Sequence, residues 1–317
     1  MKLQEIYNLS IQMGMDADPR GRAGAEKALL KAKKEYEKMD EKERGYFDPE
    51  ALRNPYSDTR ILFDDPECDI RKIMAGIDIE GDELLTARHL GDIDACIAHH
   101  PRGSALAKLD DVMFMQADAL NQCGVPINVA EGLLRKRISE VSRGLSSGNH
   151  HRPVEIARLL GIPYMCTHTV TDNLVYQFLK TKVEGEPLET VGDIIDMLME
   201  IPEYQKAKKG GTGPVIFSGT KENRAGRISI TEITGGTEGA HDMYEKMANA
   251  GVGTVISMHQ SEKHREFAQK AHVNVVMAGH MSTDSIGMNL FLDKLEKQGI
   301  EIVPCSGLIR VSRVNQA

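Results

Sequence analysis

Six residues carry the chemistry most easily read from this sequence: His99, His100, His168, Asp172, His280 and Asp284. Imidazole nitrogens and carboxylate oxygens without cysteine form a donor set suited to zinc, iron, manganese, nickel or cobalt. They lie in three stretches. In 97–101, Ile-Ala-His-His-Pro, two imidazoles end an apolar run, and Pro101 restricts His100 to extended backbone. Neighbouring side chains there point to opposite sides, so the pair can serve two different ions. In 167–172 an imidazole and a carboxylate stand four residues apart where a helix is expected to begin, on one side of its first turn. The stretch 278–284 repeats this grammar, with Gly279 permitting a sharp turn.

Each stretch alone has an ordinary alternative. Paired histidines often face solvent in loops, and Asp172, Thr283 or Asp284 can cap free N–H groups at a helix start. The recurrence at three strand ends favours a single site for two metal ions.

Other candidates follow with less support. His259 ends an apolar run, with Glu262 three residues later; it could complete the site or act as an acid or base. His150 and His151 precede an expected helix rather than follow a strand, and His89, His241, His264 and His272 read as surface or capping residues. The Gly-rich tracts 209–214 and 234–239 match neither the phosphate-loop nor the dinucleotide spacing. The second lies between an expected strand and helix and could cradle an anion, although a tight turn is the commoner use. Five scattered cysteines without a C-x-x-C pair read as small buried hydrophobes, not as a disulfide framework or a zinc site.

Elements that would position these residues alternate between strand and helix. Strands are expected at 73–79, 95–98, 164–167, 215–218, 227–233, 254–258, 273–278 and 301–304, with helices between them. The fold class is therefore α/β with parallel β-α-β units. Residues 22–44 read as an amphipathic helix with Leu29, Ala32, Tyr36 and Met39 on one face, and 54–58 as turn and loop. The expected division is a helical N-terminal extension (1–70), a first α/β domain (71–182), a linker and helix (183–212) and a second α/β domain (213–317). A formal charge of −8 argues against general nucleic-acid or membrane binding. The lack of a basic segment followed by a long apolar run points to a cytoplasmic protein.

The order Gly76-Ile77-Asp78-Ile79, Ala98-His99-His100-Pro101, His168-Thr169-x-x-Asp172 and Ala278-Gly279-His280-x-x-x-Asp284 resembles the Nif-three-like family, over roughly 73–304. Bacterial members are often labelled GTP cyclohydrolase 1 type 2 homologues. The resemblance implies two related α/β domains with mostly parallel sheets enclosing two divalent metal ions, in subunits assembled as a homohexameric ring. Carried over, the ligands are His99, His100, Asp172, His280 and Asp284, with His168 beside them as ligand or hydrogen-bond partner. The chain departs from the family where Asp284 replaces the usual Glu and where His259 replaces a carboxylate.

If the centre is catalytic, metal-assisted hydrolysis is the expected chemistry, with His168, His259 or Glu262 as proton-transfer groups and a small-molecule substrate. Cyclohydrolase-type chemistry on a nucleotide fits, though the sequence shows no guanine-reading pattern. The rival is a non-catalytic metal-binding ring that acts as a scaffold or regulatory interaction protein. An open coordination position separates the two, since a structural ion is saturated by protein ligands.

Overall fold

The computed structural model describes residues 1–314. Among these residues nine strands form two sheets: β1 (Thr59–Phe63), β2 (Lys72–Gly76), β3 (Ala95–Ala98), β4 (Tyr164–Thr167), β5 (Val215–Ser218), β6 (Arg227–Glu232), β7 (Val252–Ser257), β8 (Asn274–Met277) and β9 (Glu301–Cys305). The first sheet has the order β1-β4-β3-β2-β9 and the second β5-β8-β7-β6. Both are parallel except for one antiparallel edge strand, β1 against β4 and β5 against β8. The α/β architecture with two related, mostly parallel sheets is as expected. Parallel strands buried on both faces carry near-continuous apolar runs, and β3 and β4 are buried at every position.

Sheet membership departs from the expected divisions. The last strand, placed by sequence in the second α/β unit, returns to the first sheet and pairs in parallel with β2. Strand β1 lies inside the segment read as a helical extension; with Asn54-Pro55 upstream and Asp64-Asp65 downstream, its five residues were masked by turn signals. The helix Leu3–Asp16 buries Leu3, Ile6, Tyr7, Ile11 and Met15 in one core with Ile73, Ile97, Met165 and Phe291. Full burial of such a side chain contributes about 1.5–3 kcal/mol, so this helix belongs to the core rather than extending from it. The Lys-rich helix Arg22–Lys38 does sit outside: Ala25 is its one buried residue, and Leu29, Ala32, Tyr36 and Met39 are half-buried. Among the described residues no helix is long and apolar enough to cross a membrane.

Two long helices run between the sheets' contributions, Thr169–Gly185 after β4 and His280–Glu296 after β8. Their contact is unusually close at Gly287, where an added Cβ would fall 2.3 Å from the Thr171 carbonyl oxygen. That approach sets the separation of Asp172 and Asp284, one on each helix. Gly287→Ala is expected to cost about 1–3 kcal/mol by overpacking, read as a lower denaturant midpoint. Gly132→Ala, in a helix with nothing near its Cβ position, should stabilise by about 0.5–1 kcal/mol.

Candidate metal centre

Three strand ends deliver the six residues to one place. His99 and His100 follow β3; His168 is the N-cap of the helix after β4, with Asp172 in its first turn; Gly279 after β8 adopts φ 107° and starts the helix carrying His280 and Asp284. His99 Nε2 lies 3.5 Å from both Asp172 Oδ1 and Asp284 Oδ1. His100 Nε2 lies 3.5 Å from Asp284 Oδ2 and 3.4 Å from His280 Nε2, which is itself 3.4 Å from Asp284 Oδ2. His168 Nε2 is 4.0 Å from Asp172 Oδ2, and one ring nitrogen each of His99, His100 and His168 forms a third close group.

The buried His and Asp groups suit a divalent ion. His99 Nε2, Asp172 Oδ1 and both oxygens of Asp284 are buried with no hydrogen-bond partner among the described residues. Their mutual separations exceed ordinary hydrogen-bond lengths. Metal bonds of about 2.0–2.2 Å at tetrahedral angles place neighbouring donors roughly 3.3–3.6 Å apart, which is the spacing found. The capping alternative for Asp172 and Asp284 is not what the structure shows, since Asp172 Oδ1 and both Asp284 oxygens accept nothing. Thr283 Oγ1 instead donates to the Gly279 carbonyl.

The distal imidazole nitrogens are held from outside. His99 Nδ1 meets Thr171 Oγ1 at 3.0 Å, and that hydroxyl contacts the Thr167 and His168 carbonyls. His100 Nδ1 donates to Asp78 Oδ1 at 2.8 Å, and Arg102 binds the same oxygen at 2.8 Å and Glu80 at 2.6 Å. His168 Nδ1 meets Asp58 Oδ2 at 2.7 Å. Such outer partners orient metal-binding histidines. Sequence reading misses Asp58, because the turn residues of 54–58 carry no ligand signal, and it misses Asp78 and Thr171, which have no spacing of their own to mark them.

Burial, joined by the charges of Asp284 and Asp58, pushes Asp172 well above the usual carboxylate range. Burial acts on Asp284 in the same direction but is outweighed by His99, His100 and His280, which hold it well below. Burial also lowers His99 and His280, the latter to about 4, favouring the neutral imidazoles a metal needs. His100 differs: burial opposes its charge, but Asp284 and Asp78 raise it to about 9.

His259 stands beside the cluster, its ring centroid 4.6 Å from that of His280 and its pKa lowered by burial. Glu262 is not brought in: its carboxylate is 74% exposed and pairs with Arg265. His264, read as a surface or capping residue, is buried, with contacts to Ser261 Oγ and the Gly239 carbonyl. In the tract 234–239, Gly235 and Gly236 adopt φ of 92° and 93°, and Gln116 Nε2 donates to the Gly235 and Thr237 carbonyls. Burial pushes the Cys96 and Cys166 thiols up to about 12 and about 11, as expected of inert core residues.

Because Asp172 is raised in the folded chain, its contribution to stability is complete below the ordinary carboxylate range and is lost as pH rises through the folded value. Metal-free protein is therefore expected to lose stability above about pH 4 relative to Asp172→Asn. Thermal midpoints across pH measure this. Added divalent ion should raise the midpoint of the native chain more than that of the variant.

No family model matches the chain, and no curated protein does. Among solved structures, a NIF3 superfamily protein from Sphaerobacter thermophilus is similar over 80% of this chain and 92% of its own, with 29% identity and a TM-score of 0.70. Reduced HcgD from Methanocaldococcus jannaschii is similar over 84% of this chain and 97% of its own, with 15% identity and a TM-score of 0.51, a likeness of fold alone. The resemblance carried by the three motifs is thus borne out, and the chain has the fold of the NIF3 superfamily.

Proposed function

We propose that this chain binds two divalent metal ions and is a metal-dependent hydrolase. The observation that carries the reading is Asp284, whose carboxylate turns one oxygen toward His99, which also faces Asp172, and the other toward His100 and His280. A carboxylate shared in this way bridges two donor groups, His99-Asp172-Asp284 and His100-His280-Asp284. Bound divalent ions supply Lewis-acid polarisation of a carbonyl, phosphoryl or ring carbon and lower the pKa of water.

The chain's own residues would orient the reactants and move protons. His280, its side chain 36% exposed, and the half-buried His259 lie on the accessible side, where a small substrate enters. His168, 7% exposed, presents Nε2 from the buried side and is suited to hold a proton taken from water. His259, kept neutral by burial, can accept or return a proton at the open side. The exposed Glu262 is left with no part in this scheme. Cyclohydrolase-type opening of a nucleotide ring, as attack of water on carbon, falls within this chemistry. The homohexameric ring implied by the motif resemblance belongs to the same proposal, and sedimentation is expected to return six copies.

Metal analysis of the purified chain is expected to find two ions per subunit, falling to none in Asp284→Ala. A single ion that survives Asp284→Ala would sink the dinuclear reading. Screening nucleotides, phosphodiesters and amides should yield a hydrolysis that chelation abolishes, and His168→Gln should lower its kcat by about 10²–10⁴-fold. Fully loaded protein that hydrolyses nothing in such a screen would favour the scaffold role instead.

A further inference from the structure

We propose that Asp58 is a positioning residue that holds His168 in its Nδ1–H form and turns the Nε2 lone pair toward the metal cluster. The argument begins with strand register. Strand β1 pairs antiparallel to β4 with Thr59 opposite Thr167. One step beyond the ladder on each strand, Asp58 therefore faces His168 across the sheet edge, and Oδ2 and Nδ1 meet at 2.7 Å.

The hydrogen's position follows from counting donors. Asp58 Oδ2 also accepts from Thr169 Oγ1 at 2.6 Å. Asp58 Oδ1 is buried without a partner among the described residues, so a proton there would have no acceptor. Burying such a donor unbonded is unfavourable. The favoured arrangement is a carboxylate that accepts from both neighbours, with the His168 hydrogen on Nδ1. Nε2 is then bare, and it is the atom that lies 4.0 Å from Asp172 Oδ2 among the metal-directed nitrogens. A lone pair there can take a metal or a proton, whereas an N–H can do neither.

This assigns a purpose to the edge strand. Residues 1–70, read from sequence as an extension, supply through β1 the group that orients a histidine of the centre. The use made of the Nε2 lone pair rests on the dinuclear hydrolase reading; the tautomer does not, so the two can fail separately.

Neutron diffraction from crystals of the full chain, as purified, is expected to place hydrogen on His168 Nδ1 and none on Nε2. Asp58→Leu keeps comparable bulk and removes the acceptor that both His168 Nδ1 and Thr169 Oγ1 reach, so the hydrogen is expected to leave Nδ1 for Nε2, the nitrogen facing Asp172 Oδ2. A purely structural role for Asp58 would not move that hydrogen. Hydrogen on Nε2 in the native chain, or an unchanged Nδ1–H in Asp58→Leu, would overturn the proposal. If the variant does not fold, the native chain alone decides. Should metal analysis return fewer than two ions while the tautomer is as expected, the dinuclear reading falls and this assignment stands.

Discussion

Two carboxylates sunk in the interior without hydrogen-bond donors are the constraint on which the rest of this structure turns. Asp172 and Asp284 are each at most 1% exposed, on helices that touch at Gly287, and Asp172 Oδ1 and both Asp284 oxygens lack partners. Buried unpaired charge costs several kcal/mol, a burden that only a proton or a cation can lift. The surrounding imidazoles divide the task unevenly. They keep Asp284 ionised while Asp172 is left protonatable. The interior is thus stable enough to fold and still short of positive charge, which is the condition for a cation to bind.

The fold meets this constraint by bringing three strand ends together and bracing each imagined ligand from behind. Thr171 backs His99, Asp78 with Arg102 backs His100, and Asp58 backs His168. Ring centroids run His168–His99 4.9 Å, His99–His100 5.2 Å, His100–His280 5.1 Å and His280–His259 4.6 Å. Exposure along it is least at His99 and rises through His100 to His280. Its last member, His259, stands where the family resemblance leads one to expect a carboxylate, so the open side carries less negative charge than that pattern implies. The chain's similarity to a NIF3 superfamily protein fits this arrangement without specifying what enters it.

Most of the parallel strands and the placement of the six residues were legible in the sequence. Short apolar runs bounded by turn residues mark buried parallel strands, and three such runs each end in a donor residue. Sequence alone does not dismiss the capping alternatives, because Asp at i+4 after a strand looks the same whether it caps a helix or awaits an ion. Strand β9 was legible as a strand but not as a member of the first sheet, since parallel pairing is set by crossover connections rather than local pattern. Glu262 follows a strand-end histidine by three residues, yet its position on the helix Glu262–Lys270 turns it to solvent.

What the sequence determined by itself was donor chemistry: which nitrogens and oxygens are present, that no cysteine accompanies them, and that each set follows a strand. Those properties belong to residue type and short-range periodicity. What only the tertiary structure decided was distance and support. The approach at Gly287, the pairing of Asp284 with His99 and His100 and the pairing of Asp58 with His168 join residues 110 or more positions apart. Such contacts depend on how sheets and helices pack, and local sequence carries no record of them.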